Sequence, residues 1–428
     1  MDAQATQEDS RGEPSSHPIR LILTDDLRRR RWTVVFRLLL ALPHYIWLFL
    51  WTIAIFFAAI ANWLATLARG RSPARLHSFV AAYVKYVTQL FAYLRLAAEP
   101  YPSFDGPDGY PVDLEIAPAA RQHRGRTLLR LPLALPAMLI AGVLVGDSFT
   151  ATFNSTSWVL QGGGLLGTTA FLGWFASLAR GGMPRGLRDA AAYALCYGAQ
   201  LWAYMLLLTD RYPDSDPLAA LGALAEREDA IALRGVDDLR RSRLTVLFRL
   251  PLSFPHLLWL GLWSAVAIVA AIANWVATLL LGRAPGALHR FLAAYVRYAV
   301  SVYAFLYVVA NPFPGFGGTA GAYPLDATID QPRRQNRWTV LFRLVLVIPA
   351  LLLDAAFEGL GLLLAFLGWV ASLVGGRIPR GLRNAGALAL RYHAQTLGYV
   401  LLLTDSYPYS GPCRSDLPRR DASQLPSA

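Results

Sequence analysis

RWTVVFRLLLALPHYIWLFLWTIAIFFAAIANWLATLARGRSPARLHSF, residues 31–79, decides the fold, because it returns about 212 residues later without a gap. The second occurrence, residues 243–291, reads RLTVLFRLPLSFPHLLWLGLWSAVAIVAAIANWVATLLLGRAPGALHRF. A fixed period of self-similarity is the first thing to read in a chain, since it sets the architecture. Inside each copy an apolar run carries no formal charge, Pro43 to Ala68 and Pro255 to Leu281. About 20 such residues suffice to cross a bilayer. The whole chain is 55% hydrophobic and only 16% charged, against about 25% charged in soluble domains, so the sequence reads as an integral membrane protein.

Working outward, two looser copies lie between and after these. Arg37, Arg130, Arg249 and Arg343 correspond, as do Pro43, Pro136, Pro255 and Pro349, and Trp63, Trp174, Trp275 and Trp369. Pro73, Pro184, Pro285 and Pro379 align as well, and so do Tyr86, Tyr197, Tyr298 and Tyr392. The copies alternate A, B, A, B: His44 and His256 follow the proline in A where B has Ala137 and Ala350, and Asn62 and Asn274 precede the tryptophan where B has Gly173 and Gly368. An ancestral A–B pair duplicated whole explains this. Each copy reads as three parts. A short amphipathic stretch, with Trp32, Val35, Phe36, Leu39 and Leu40 on one helical face, is too short to span and suits the membrane interface. Proline then ends or kinks it, and a spanning helix follows. A Gly/Pro turn returns the chain as a second, antiparallel helix.

The expected fold is therefore all-α, with about eight transmembrane helices as four tandem hairpins, each preceded by an interfacial amphipathic helix. The hairpins would be parallel repeats about an axis along the membrane normal. The expected division is a disordered tail at 1–19, a first half at 20–213 with repeats 20–105 and 110–213, and a soluble linker at 214–234. A second half at 235–411 holds repeats 235–316 and 323–411, and a disordered tail runs 412–428. The second repeat carries an extra stretch around Asn154 to Ser157 and Gln161 to Gly164, so its first helix reads as broken. The segments Tyr110 to Ile116 and Tyr323 to Ile329 alternate polar and apolar residues and suit short strands.

The net charge is +12, and all but one of the 40 basic residues are arginine, the exception being Lys85. Because these cations flank apolar runs, anionic lipid headgroups, not nucleic acid, are the partner they indicate. Arginines at the hairpin tips (Arg71, Arg180, Arg283, Arg377 and neighbours) are outnumbered by those expected on the opposite face (Arg28 to Arg31, Arg121, Arg240, Arg334 and neighbours). The positive-inside rule then places both termini in the cytoplasm of a multi-pass plasma-membrane protein. Residues 1–19 have no apolar core of a signal peptide. Cys196 and Cys413 make neither a disulfide framework nor a metal pattern.

These residues also carry a resemblance. R-x-T-V-x-F-R-x-x-L-x-x-P-H, then N-W-x-A-T-L with a G-R-x-P turn, then L-L-L-T-D-x-Y-P at Leu206 to Pro213 and Leu401 to Pro408 resemble the bacterial, actinobacterial-type membrane family known as domain of unknown function 4389. The likeness covers about residues 20–410 in four copies. The last motif has drifted to Ala97 to Pro102 and Ala310 to Pro314 in the A copies. The resemblance implies a membrane location and a fold, and no activity.

The most suggestive chemistry is a polar stripe on each second helix: Lys85, Gln89 and Tyr93, then Cys196, Gln200 and Tyr204, then Arg297, Ser301 and Phe305, then Arg391, Gln395 and Tyr399. Four-residue spacing puts each set on one face. Intramembrane charge usually faces a bundle interior or an aqueous cavity, so the stripe reads as an anion or headgroup site. It reads equally as packing polarity, its cations bonded to carbonyls or snorkelling. Arg28, Arg29, Arg30 and Arg31, with Arg37, Arg130, Arg249 and Arg343, are expected headgroup contacts. Asp354 and Glu358, one turn apart, suit either proton coupling or pairing to an arginine such as Arg343. His44 and His77 lie at opposite ends of one helix and cannot share a metal. No P-loop, nucleophile elbow, dinucleotide or zinc signature occurs, so no catalytic residue, cofactor or metal is expected. The sequence favours a non-enzymatic scaffold or accessory subunit that organises lipids or a membrane-protein partner. A small-solute or anion transporter using the cationic stripe is the alternative.

Overall fold

A computed structural model describes residues 17–146, 163–221, 229–235 and 238–413. The first half comprises β1 (Ile19–Leu23), α1 (Arg31–Leu40), α2 (Leu42–Arg69), α3 (Ala74–Leu94), β2 (Val112–Ile116), α4 (Arg124–Leu128), α5 (Arg130–Val145), α6 (Gly164–Arg180), α7 (Arg185–Met205) and α8 (Pro217–Ala220). The second half repeats the plan as β3 (Ile231–Gly235), α9 (Arg243–Leu247), α10 (Arg249–Leu281), α11 (Gly286–Leu306), β4 (Leu325–Ile329), α12 (Arg337–Leu341), α13 (Arg343–Leu346), α14 (Ile348–Gly375) and α15 (Arg380–Val400). Each long first helix ends on a left-handed glycine, Gly70, Gly181, Gly282 or Gly376. Only glycine enters that conformation without a Cβ penalty. Each second helix starts directly after a proline, where a missing N–H costs nothing.

Three described helices are long and apolar enough to cross a membrane: α2 with 28 residues, α10 with 33 and α14 with 28. The 21-residue second helices α3, α7, α11 and α15 do not reach that apolarity. The first helix of the second repeat is described in two pieces, α5 and α6. The Asn154 insertion lies outside the described residues.

The proline expected to end or kink the interfacial piece marks a helix boundary in the first and fourth repeats, where α1 gives way to α2 at Ala41 and α13 to α14 at Val347, but a single residue is all that divides the pieces. Pro255 lies inside α10, and Ala41 before Pro43 is itself helical, with Tyr45 N–H bonded to its carbonyl at 3.1 Å. Proline removes one intrahelical bond, but the φ it imposes is helical. The result is one long rod with one buried stripe: Val34, Arg37, Ala41, His44, Ile55, Asn62 and Thr66 in the first repeat. In the third it is Val246, Arg249, Ser253, His256, Leu260, Ala267, Asn274 and Thr278. Steps of three, four, seven and eleven keep one face inward. The remaining circumference is exposed and apolar, with Trp32 77% and Phe49 67% exposed. The face of α1 that holds Trp32, Val35, Phe36, Leu39 and Leu40 points away from the protein.

The strands at 112–116 and 325–329 take partners that the sequence did not offer. β1 pairs antiparallel with β2, Ile19 opposite Ile116, and β3 pairs with β4, Ile231 opposite Ile329. β3 falls at the end of the stretch read as a linker. The second helices form a middle layer. The strands lie on one side of it, β2 on α3, β1 on α7, β4 on α11 and β3 on α15, and the first helices lie on the other.

Within a half the second helices run antiparallel. The end of α3 at Leu96 packs on Met183 at the start of α7. The end of α7 at Leu206 accepts a hydrogen bond from Asn62, whose carbonyl oxygen accepts from Ser72 at the start of α3. This explains the A/B alternation. Asn62 and Asn274 donate to Leu206 and Leu401, whereas at Gly173 and Gly368 a side chain would collide with Met183 or Ile378. The halves join where Leu353, Phe357, Leu360 and Leu364 of α14 share a core with Ala137, Ile140, Leu144 and Leu165.

Candidate functional site, an apolar face backed by a polar layer

The polar stripe lines the junction between second helices and strands. Gln200 donates to Ile19 O at 3.1 Å, Gln395 to Ile231 O at 2.9 Å and Arg297 to Ala327 O at 3.1 Å. Gln89 donates to Pro107 O at 2.8 Å and lies 3.4 Å from Asp113 of β2. Ser301 donates to Arg297 O, and Lys85 pairs with Asp108 in the loop above α3. Arg391 is fully buried and donates to Tyr409 O and Gly411 O of the returning chain. Each second helix thus uses this face to hold a strand or loop. Glutamine suits the task because one amide can donate and accept at once: Gln200 and Gln395 also accept from Asp214 N and Tyr409 N, each at 2.9 Å. Tyr93 is buried beneath the Arg37 guanidinium.

Arg37, Arg130, Arg249 and Arg343 do not sit at the surface, where headgroups would require them; each is at most 3% exposed. Their guanidinium groups close the C-terminal ends of the second helices. Arg37 donates to Tyr93 O and Ala98 O, Arg130 to Tyr204 O and Thr209 O, and Arg249 to Phe305 O and Ala310 O. Arg343 lies 3.9 Å over the Tyr399 ring and bonds Gln335 and Asp405. The last carbonyls of a helix lack intrahelical donors and carry the negative end of its dipole, so a forked cation fits there. Just beyond, Leu96, Leu207, Val308 and Leu402 adopt positive φ, which is costly for residues with a Cβ. Their carbonyls accept from Arg29, Gln122, Arg241 and Gln335 respectively. Arg29 is therefore buried and also pairs with Asp25 at 2.7 Å, while Arg28, Arg30 and Arg31 are exposed.

The two sets of arginines assigned to opposite faces are neighbours. Arg28 bridges Gly182, Arg71 bridges Arg121, Arg240 bridges Arg377 and Arg283 bridges Arg334. The start of each repeat lies beside the tip of its partner's hairpin, so the two sets of arginines do not mark opposite faces.

Two clefts are notable, the first between first helices and the second among α11, α14 and α15. One, of about 540 Å³, lies between α2 and α5 over α3 and α7, lined by Leu48, Val84, Met138, Val145 and Trp202, with Arg95 bordering it. The other gathers Tyr303, Tyr307, Asp354, Glu358 and His393. There Asp354 bonds His393 at 3.0 Å and not Arg343. His44 and His256 are buried, bonded to Tyr86 and Tyr298 at 2.9 and 2.8 Å and stacked on Phe104 and Phe316. Among the described residues no three His, Cys, Asp or Glu side chains gather as metal ligands.

The sequence reading missed a polar junction between the halves. Tyr409 donates to Asp189 at 2.5 Å, and Asn384 donates to Asp216 at 2.7 Å. Burial pushes the Asp216 carboxyl above its usual range, against the Leu218 N–H and Asn384 donors that favour its charge. Asp189 and Asn384 occupy equivalent positions in α7 and α15, one turn after the tip proline. That correspondence was the signal available in the sequence.

No curated protein matches the chain, and no solved structure matches it. A family model described as a domain of unknown function (DUF4389) matches residues 31–105, 243–316 and 337–410. These matches fall on the first, third and fourth repeats, the second being the one with the insertion, and together they cover more than half of the chain; it belongs to the DUF4389 family.

Proposed function

We propose that the chain is a non-enzymatic scaffold of a bacterial plasma membrane, holding anionic lipids and presenting its polar side to a partner protein, with both termini on the cytoplasmic side. The observation that carries this is the contrast between the two sides of the second-helix layer. One side is an almost unbroken apolar exterior of long helices, the other a set of strands and charged loops fixed by buried hydrogen bonds. The stripe that would line a transport path is consumed in holding strands. That favours the scaffold over the transporter, because conduction needs polar groups left free for the solute.

Reconstitution tests the reading. The purified chain should float with vesicles, more firmly when they contain phosphatidylglycerol than when they are purely zwitterionic, and should resist a carbonate wash. The same proteoliposomes should pass neither chloride nor phosphate. Anion flux that drops on Arg297→Ala would replace the scaffold with the transporter.

A further inference from the structure

We infer that the apolar face is seated in a single leaflet of an anionic bilayer, with the first helices lying along the membrane, the second helices beneath them at headgroup level and the strands in water. This rests on the membrane reading above and specifies how the membrane is met.

The first argument is geometric. α3 follows the α1–α2 rod along its length. Arg37 meets Tyr93, His44 meets Tyr86, Thr52 meets Tyr83, and Asn62 meets Ser72 at the start of α3. If the rod stood across the bilayer, α3 would stand beside it. The middle of α3, however, carries a charged loop. Lys85 pairs with Asp108, whose side chain is 84% exposed, and Gly106 lies directly on the backbone at Ala82 and Tyr86. In the third repeat an uncharged loop packs at the matching place, with Gly318 against the backbone at Ala294 of α11. An upright molecule would therefore place an exposed carboxylate and irregular loop backbone at mid-membrane. It would place there as well the open edges of two-stranded sheets. Hydrocarbon does not tolerate exposed loops or sheet edges, nor lipid-exposed charge.

The second argument is length. α10 alone, 33 residues from Arg249 to Leu281, measures about 50 Å at 1.5 Å per residue, well over the roughly 30 Å hydrocarbon core. Its exposed side is apolar from Leu250 to Leu281. A flat helix is about 10–12 Å across and fits within one leaflet. The third is charge. Lying flat, the α1–α2 rod has Arg28, Arg31 and Arg180 at one end and Arg71 and Arg121 at the other. Both ends then reach the same layer of anionic headgroups.

The test uses the full chain with Cys196 and Cys413 replaced by serine, and single cysteines at Asp105, Thr319, Arg71, Arg180, Arg283 and Arg377. Each variant is kept only if it floats with vesicles and elutes like the parent. A membrane-impermeant maleimide is applied to intact cells and to inverted vesicles. All six positions should label in inverted vesicles and stay unlabelled in intact cells. Upright hairpins with all tips together would separate the loops (Asp105, Thr319) from the four tips. Upright repeats with antiparallel second helices would separate Arg71 from Arg180. Any such division overturns the inference. A nitroxide at Phe57 or Ile268 supplies a second readout, with quenching that stops short of the bilayer midplane expected and a midplane or far-leaflet position overturning it. Failure of the parent to float would instead remove the membrane reading itself.

Discussion

At the scale of single residues, the chain spends its buried arginines on backbone. Arg249 sits 1% exposed with its guanidinium 4.4 Å over the Phe305 ring, donating to Phe305 O at 2.5 Å and Ala310 O at 3.2 Å. A lysine would keep the charge but lose the planar fork and the stacking. Arg249→Lys is therefore expected to lower stability by about 2 kcal/mol and Arg249→Met by somewhat more, since two buried carbonyls lose their donors. Denaturant unfolding in detergent measures both, and a lysine variant as stable as the parent would show that charge alone suffices. The sequence marked these arginines by their repeat positions but suggested the wrong environment. A cation at the edge of an apolar run looks the same whether it reaches out to a headgroup or in to a helix end. The distinguishing sign was the spacing of Val34, Arg37, Ala41 and His44, which puts the arginine on the inward stripe.

At the scale of elements, the strands depend on the helices beneath them, and β1 carries a pH-sensitive attachment. His17 is buried just before it, with Nδ1 3.0 Å from Ile19 O, and burial holds its pKa below the ordinary 6.5. Proton binding then favours the undocked strand. The stabilisation is complete above about pH 6.5 and is lost as pH falls through the lowered folded-state value. Amide exchange of Ile19–Leu23, corrected for its intrinsic rate, should accelerate between about pH 6.5 and mildly acidic conditions, and His17→Gln should flatten the profile. An unchanged profile in the variant would place the sensitivity elsewhere. The strands in the B copies were legible because Val112 to Ile116 alternates. Their partners were not, since β1 and β3 are short, flank polar stretches and acquire an identity only by pairing. Pro255 misled for a related reason, because its local preference is overruled by the helix on either side and by the stripe that the rod must keep facing inward.

At the scale of the molecule, the duplication was plain in the sequence, whereas the layering was not. A repeat period says which parts are alike and nothing about which side of a helix meets lipid; the proposed seating in one leaflet rests on the loops packed on α3 and α11, just past the last motif of each A copy. The contact between halves rests on α14, where Phe357 is completely buried in the core that α14 shares with Ala137, Ile140, Leu144 and Leu165 of the first half. Phe357→Ala should cost about 3–5 kcal/mol, and halves co-expressed as separate chains should cease to co-purify in that background while the parent pair remains joined. Co-purification at parent levels would move the cohesion to the Asp189–Tyr409 and Asp216–Asn384 bonds. The strand pairing has a consequence of its own. Among the described residues each repeat contributes one strand, and each strand takes its ladder partner from the neighbouring repeat of the same half. The architecture therefore obeys a parity rule: it can grow or shrink by twos, and a relative built from an odd number of repeats would have to complete its last pair with a strand from another molecule, becoming a dimer by arithmetic.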